Sequence, residues 1–416
     1  MDSIQIDGGI PLQGQVKIQG SKNAALPILA ATILVRGNSL IENCPKIADV
    51  FQMQALLTHL GCKISWEGNS LKVDASGVNG SRMPSEEVKA MRSSISLLGA
   101  LLARTSEAVM DFPGGCVIGA RPIDIHLDAL KQMGVVFEEK EDVLYARTTG
   151  LEGSRISLRF PSVGATENIL LAAVLAKGDT WIQNAAREPE VEALCEFLAH
   201  TGAWIEGIGT DTLHVRGVSR LTETKFRIPS DRIVAGTYLT GCMIAGGSVL
   251  LKDAPVSQME AVLRAARSMG VQIQPVDEGL FVQTPDTLLS PGHLKTAVYP
   301  GFPTDMQSPF LAAMTVAGGE SILTEVIFEN RFRIVEPLRK MGADIRVSGS
   351  DVLIKGGSCL RGAEVEAREL RGGAALVMAA LGAVGHTTVT GSGFIYRGYE
   401  NIGRDLRELG ARVYSV

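Results

Sequence analysis

Apolar and polar positions along this chain follow a helical period that breaks six times at a glycine followed by a β-rich run. The breaks are LLTHLGCKI (56–64), ALKQMGVVF (129–137), FLAHTGAWI (197–205), AARSMGVQI (265–273), PLRKMGADI (337–345) and LRELGARV (406–413). A helix C-terminus favours a residue able to take positive φ, which predicts helix stops at Gly61, Gly134, Gly202, Gly270, Gly342 and Gly410. These glycines recur at intervals of 68 to 73 residues, and five of the six have Leu four positions earlier, one turn back on the buried face. Such a regular period is an internal repeat.

The order inside each unit also recurs. An apolar helix comes first (NAALPILAATIL, SSISLLGALLA, ENILLAAVLA, VAGTYLTGCMIA, QSPFLAAMTVA, GAALVMAALGA). A strand, a loop, the second helix, the glycine stop and a strand pair follow. The pairs are split by turn signals such as Glu67-Gly68-Asn69 and Ser348-Gly349-Ser350. Units of about 70 residues are too long for a solenoid of helix pairs and read as small α/β sub-folds. Six of them are expected to divide three and three, with crossings at Phe226–Arg232 and Gln19–Asn23. A cleft between domains is a favoured place for a small-molecule site.

Composition narrows the class. The 416 residues are 45% hydrophobic, only 5% aromatic and rich in glycine, which fits a soluble α/β (α+β) protein. A net charge of −5 argues against general affinity for nucleic acid or anionic membranes. The start MDSIQIDGGI has neither a basic nor an apolar leader region, so a cytoplasmic location is expected. The uncharged stretch from Gly372 to Tyr396 is interrupted by Gly, Thr, Ser and His386, and reads as helix, turn and strand rather than a span. Six scattered cysteines without a CxxC pair, and six dispersed histidines, give no basis for a disulfide framework or a metal site.

Aligning the units sorts the unusual polar residues into two loop classes. One precedes the first helix: GSKN (20–23), KAMRSS (89–94), SVGATEN (162–168), PSDR (229–232), FPTDMQ (302–307) and ELRGG (369–373). The other joins the first strand to the second helix: NCPKIAD (43–49), GGCVIGARPID (114–124), AAREPE (185–190), FENRF (328–332) and YRGYEN (396–401). Both classes lie beside helix starts, where free N–H groups and the macrodipole favour anions. Lys22, Arg92, Arg121, Arg331, Arg371 and Arg397 are placed there, which points to a multiply anionic small ligand.

A bland alternative stands beside each reading. A lone arginine near a helix start is commonly a surface ion-pair residue, although six at equivalent loops weaken that account. Asp305 suits an N-cap of the apolar run behind it as well as a site acid. Cys116 is either a small buried hydrophobe or a reactive thiol. Its neighbours Pro113, Gly114, Gly115 and Gly119 offer little apolar cover, and Arg121 favours thiolate character. Cys62, Cys195 and Cys242 read as structural.

Taken jointly, GSKNAALPIL, MRSSI, PGGCVIGARPIDIHL, SVGATEN, NAAREPE, FPTDMQ, FENRF and YRGYENI resemble the UDP-N-acetylglucosamine 1-carboxyvinyltransferases of the enolpyruvyl transferase family. The likeness runs in order from residue 4 to the C-terminus. It implies a two-domain fold, an inside-out α/β barrel with three helix–strand copies per domain. Residues 22–229 would form the domain with the Cys116 loop, and 1–21 plus 230–416 the other.

The implied reaction moves the enolpyruvyl group of phosphoenolpyruvate to the 3-hydroxyl of UDP-N-acetylglucosamine, releasing phosphate, at the first committed step of peptidoglycan synthesis. By resemblance Cys116 is the general acid and Asp305 the base. Lys22, Arg121 and Arg397 would hold phosphoenolpyruvate. Asn23, Arg92, Arg121, Pro122, Ile123, Asp124, Ile125, Ser162, Val163, Gly164, Asp305 and Ile327 would contact the nucleotide sugar. Arg331, Arg371, Glu188 and Glu190 would assist, and no metal or organic cofactor is implied. Two departures stand out: Glu369 where the family commonly has Asp, and Ala48 where some members have Lys, leaving Lys46 as the nearest cation. The rival reading is the sister enzyme acting on shikimate phosphate, which lacks the Cys loop. A catalytically silent nucleotide-sugar binder is the other alternative.

Overall fold

The computed structural model describes residues 3–112 and 123–415; Cys116, Arg121 and Pro122 lie outside them. The chain divides into two compact units, one within 20–229 and one built from 3–19 with 230–415.

The 20–229 unit holds three copies of one plan. In the first, the helix Lys22–Ala31 precedes the strand Asn38–Glu42, the helix Ala48–His59 and the hairpin Lys63–Glu67 with Ser70–Asp74. The sheet order places Thr224–Arg227 parallel beside Asn38–Glu42, then Ser70–Asp74 antiparallel, then Lys63–Glu67. The third copy repeats this with Arg155–Ser157, Asp179–Gln183, Thr212–Arg216 and Trp204–Glu206. The second copy has three strands, Glu107–Asp111, Val143–Arg147 and Val136–Lys140, and a single parallel bridge from Arg82 to Val109 stands where the edge strand would be.

The split unit builds the same sheet three times. Leu12–Lys17, Gly247–Lys252, Gly279–Gln283 and Gln272–Val276 form one, and His293–Lys295, Glu320–Thr324, Asp351–Lys355 and Asp344–Ser348 another. In the last sheet, Glu364–Glu366 and His386–Thr390 are followed by Ser3–Asp7 and then Arg412–Ser415. The first strand of the chain thus fills a place held elsewhere by a hairpin strand, pairing antiparallel with both neighbours.

Each sheet keeps one face dry. In Asp351–Lys355 the alternation DVLIK buries Val352 and Ile354 and exposes the residues between them. The first helices, in contrast, are buried almost all round, as in Lys22–Ala31, Val163–Ala173, Arg232–Ala245 and Leu370–Gly382. Within each unit they pack on one another, so helices form the interior and the sheets cover them. Small residues allow the close approach: a Cβ at Gly99 would meet the Asn168 carbonyl oxygen at 2.2 Å, and one at Gly241 would meet the Met378 sulfur at 2.5 Å.

All six glycines expected to stop helices have positive φ, between 85° and 105°. The hairpins at Gly68 and Gly349 carry positive φ at the first loop residue, as a two-residue turn with glycine leading requires. Gly372–Tyr396 resolves into the helix Leu370–Gly382, the strand His386–Thr390 and a 3₁₀ turn, Ser392–Arg397. The second apolar helix differs from expectation: Arg92–Ser96 is a 3₁₀ turn that passes into the α-helix Leu97–Thr105. Among the described residues, no helix is long and apolar enough to cross a membrane.

Candidate active site

In the split unit the chemistry gathers around Asp305, which sits in a 3₁₀ turn, Thr304–Met306, ahead of the helix Gln307–Val316. The N-cap of that helix is Met306, with no side-chain cap bond, so Asp305 is not spent on capping. Its Oδ1 accepts from Arg331 Nη2 at 2.7 Å, and its Oδ2 accepts from Arg371 Nε and Nη2 at 3.2 and 3.1 Å. Both arginine side chains are only 4% exposed, whereas that of Asp305 is 24% exposed. Burial disfavours the charge on Arg371, but Asp305, Tyr399 and Asp231 outweigh it and hold the guanidinium firmly protonated. The buried Nε of Arg331 and Nη1 of Arg371 have no hydrogen-bond partner among the described residues. One acid therefore shares two buried cations.

Arg371 owes its position to Glu369. Glu369 is the N-cap of Leu370–Gly382, and its carboxylate accepts from the Arg371 N–H at 2.7 Å and from the Gly372 N–H. The Glu369 side chain is folded back onto its own helix start, where the macrodipole favours it. A Cβ at Gly372 would lie 2.4 Å from Glu369 Oε1, so the absence of a side chain there makes the fold-back possible.

Ile327 and Phe328 follow the strand Glu320–Thr324, and the Phe328 ring lies 5.2 Å from the Arg331 guanidinium. Glu325, 3% exposed, binds the Ile327 and Phe328 N–H groups and the hydroxyls of Thr296 and Thr304. Arg397 departs from the expected helix start. It closes the 3₁₀ turn Ser392–Arg397, while the next helix, Ile402–Glu408, begins after its own N-cap, Asn401. The glycines at 391 and 393 let the chain coil into that turn before the helix starts.

In the 20–229 unit, Lys22 and Asn23 open the helix Lys22–Ala31, whose N-cap Ser21 accepts from the Ala24 N–H at 3.3 Å. Lys22 Nζ lies 2.8 Å from Asp49 Oδ2, with side chains 12% and 5% exposed. Asp49 is in the first turn of Ala48–His59, which begins at the departure Ala48, while Lys46 stacks 5.3 Å from the Trp66 ring centre.

Ile123, Asp124 and Ile125 start the helix Asp124–Gln132, and Ser162, Val163 and Gly164 start Val163–Ala173. The two starts meet: a Cβ at Gly164 would come within 3.0 Å of the His126 ring. Asn168 ties them together, donating to His126 Nδ1 at 2.9 Å and to the Ile95 carbonyl at 2.9 Å, and accepting from the Gly99 N–H at 2.7 Å. Arg92 begins the turn that ends just past Ile95. Asp124 pairs with Arg159, and that bond holds its carboxyl below the usual range. Ser162 caps its helix through the Ala165 N–H at 3.3 Å.

Glu188 is the N-cap residue of Pro189–His200, although its side chain makes no cap bond, and Glu190 lies in the first turn, 5% exposed. The Thr166 hydroxyl accepts from the Ala186 N–H at 3.0 Å and joins this loop to Val163–Ala173. Glu167, 6% exposed, lies beside it. Burial first, then the charges of Glu190 and Glu188, push its carboxyl well above the ordinary value.

Sequence reasoning missed Asp49, Asn168, Glu167 and Glu325. A signal existed for two of them, since Glu167 and Asn168 interrupt an otherwise apolar helical run. The thiols read as structural are so placed: burial pushes Cys62 and Cys195 up to about 12 and Cys242 up to about 11. Cys359 is exposed. Among the described residues no group of three His, Cys, Asp or Glu could hold a metal ion.

A family model described as EPSP synthase (3-phosphoshikimate 1-carboxyvinyltransferase) matches residues 6–406. UDP-N-acetylglucosamine 1-carboxyvinyltransferase 2 of Caldanaerobacter subterraneus subsp. tengcongensis is 44% identical over 416 residues, covering 100% of both chains. UDP-N-acetylglucosamine 1-carboxyvinyltransferase of Oleidesulfovibrio alaskensis is 45% identical over 416 residues, again 100% of both. Among solved structures, the enolpyruvyl transferase NikO from Streptomyces tendae aligns with a TM-score of 0.91 at 23% identity, covering 100% of this chain and 99% of that one. EPSP synthase from Acinetobacter baumannii aligns at 0.76 and 18% identity over 100% of both. The two structures are alike in fold, and the closer sequence likeness is to the curated relatives.

Proposed function

The chain belongs to the EPSP synthase family of enolpyruvyl transferases, and from that membership we propose that it moves the enolpyruvyl group of phosphoenolpyruvate to the 3-hydroxyl of UDP-N-acetylglucosamine. Phosphate leaves, and the product enters peptidoglycan synthesis in the cytoplasm. The observation that carries this reading is the end-to-end match, at 44–45% identity, to enzymes of that name. Residues 22–229, with the Cys116 loop, and 1–21 plus 230–416 are its two domains.

The chemistry is addition followed by elimination through a tetrahedral ketal. Cys116 delivers the proton to C3 of phosphoenolpyruvate, and Asp305 takes the proton of the sugar hydroxyl; each such transfer is typically worth about 10²–10⁴ in rate. Lys22, Arg121 and Arg397 bind the phosphate and carboxylate of phosphoenolpyruvate and stabilise the ketal. The charges of Arg331 and Arg371 beside Asp305 favour the same anions. Asn23, Arg92, Pro122, Ile123, Asp124, Ile125, Ser162, Val163, Gly164 and Ile327 contact the nucleotide sugar, with Glu188 and Glu190 in support. Glu369, as a helix cap, positions Arg371 rather than accepting a proton.

Phosphate release measured with phosphoenolpyruvate and UDP-N-acetylglucosamine tests the reading. Release with shikimate 3-phosphate and none with the nucleotide sugar would overturn it in favour of the sister activity named by the family model. Fosfomycin, an epoxide phosphonate, is expected to add one mass increment to the wild type and none to Cys116→Asp.

A further inference from the structure

Glu325 is a buried acid of the split unit whose hydrogen bonds tie together two of the loops that carry proposed site residues. It follows directly on the strand Glu320–Thr324 and is fixed there by its own N–H, which donates to the Ser350 carbonyl at 2.9 Å. Its Oε1 accepts from the Ile327 N–H at 2.7 Å, the Phe328 N–H at 3.2 Å and the Thr296 hydroxyl at 3.0 Å. Its Oε2 accepts from the Thr304 hydroxyl at 2.7 Å. Thr296 is fully buried and also accepts from the Val326 N–H at 3.0 Å, which closes the base of the loop.

These bonds complete a ring of contacts. Thr304 is adjacent to Asp305, Asp305 pairs with Arg331, the Arg331 guanidinium lies over the Phe328 ring, and the Phe328 N–H returns to Glu325. Four neutral donors on one buried carboxylate are more than an isolated loop anchor needs, and each is lost if the carboxylate is removed. We infer that Glu325 is a positioning residue, holding the Asp305 turn and the Ile327–Phe328 segment as one rigid piece so that base and nucleotide-sugar contact keep a fixed separation. This inference rests on the proposed roles of Asp305 and Ile327.

The test compares wild type with Glu325→Ala and Glu325→Gln. Glutamine keeps Oε1 for the two N–H groups, and its amide donates to Thr304, whose hydroxyl can accept instead. Glu325→Ala is expected to lower kcat by about 10²-fold, the cost of an ångström-scale misplacement. Its KM for UDP-N-acetylglucosamine should rise several-fold while that for phosphoenolpyruvate holds. Glu325→Gln should recover most of both.

Amide exchange at Ile327 and Phe328 should quicken in the Ala variant and stay slow in the Gln variant. Wild-type kinetics in Glu325→Ala, or losses that only follow the unfolded fraction, would overturn the inference. If the wild type releases no phosphate from this substrate pair, the proposed function fails by itself. Glu325 is then judged on exchange alone, with unchanged rates at Ile327 and Phe328 in Glu325→Ala counting against it.

Discussion

Asp305 and Glu167 are both carboxylates set against apolar helices, and their surroundings treat them in opposite ways. Asp305 takes three N–H bonds from two buried arginines, which still hold unused donors. Glu167 is buried beside two other acids, and burial first, then their repulsion, pushes its carboxyl well above the ordinary value. Exposure and neighbours differ together: the Asp305 side chain is 24% exposed and faces cations, whereas Glu167 is 6% exposed and faces acids. One region sets its acid against buried cations, and the other disfavours the charge on an acid inside a helix.

The largest effect is expected where the donor-rich region loses its acid. Asp305→Ala strands two buried guanidinium groups, so stability should fall by about 3–5 kcal/mol, as for other broken buried pairs. Phosphate release should fall by about 10²–10⁴-fold with the loss of the proposed base. Thermal unfolding and a turnover assay check both, and wild-type turnover in this variant would break the assignment.

Next comes the hub beside the acid-rich region. Asn168→Ala leaves the Gly99 N–H and the Ile95 carbonyl buried without their partner, at a cost of about 1–3 kcal/mol each. The KM for the nucleotide sugar should rise, because the starts of Asp124–Gln132 and Val163–Ala173 lose their tie; an unchanged KM would separate this hub from the site.

A smaller, pH-dependent effect sharpens the contrast directly. Glu167 has a raised pKa in the folded state, so the unfolded chain releases this proton first as pH rises past the ordinary glutamate value. The folded state then binds the extra proton, and stability declines across that interval. Glu167→Gln removes the titration. Its melting temperature should exceed that of wild type at pH 7–8, and the gap should narrow toward pH 4. A gap of constant size would mean that Glu167 is not the titrating group.

The smallest effect is expected at the buried thiols. Cys195→Ser should leave turnover intact, and iodoacetamide at pH 8 should not label Cys195 in the folded protein, because burial lifts its pKa to about 12. Labelling by mass spectrometry decides this.

The periodic part of the fold was legible because its cause is local. A glycine that must take positive φ at a helix end leaves the same mark six times, and alternation such as DVLIK marks the dry face of a strand. The loop classes were legible for a similar reason, since they recur in the same order between the repeated elements. What stayed hidden depends on partners far apart in sequence. Nothing near Lys22 announces Asp49, and nothing near Thr304 announces Glu325. Arg397 was misplaced because a 3₁₀ turn, unlike a helix, leaves little periodic trace. Glu369 was legible as a departure, but its fold-back onto Gly372 depended on that glycine as much as on the extra methylene.

The strand Ser3–Asp7 lies between His386–Thr390 and Arg412–Ser415, and Leu12–Lys17 pairs with Gly247–Lys252. During synthesis these two strands precede the 20–229 unit, yet their neighbours follow it. The 20–229 unit can close while synthesis continues, but the opening strands must wait with both edges bare, the state most prone to wrong pairing. Any nascent-chain pause or truncation that withholds Arg412–Ser415 leaves Ser3–Asp7 with one edge bare.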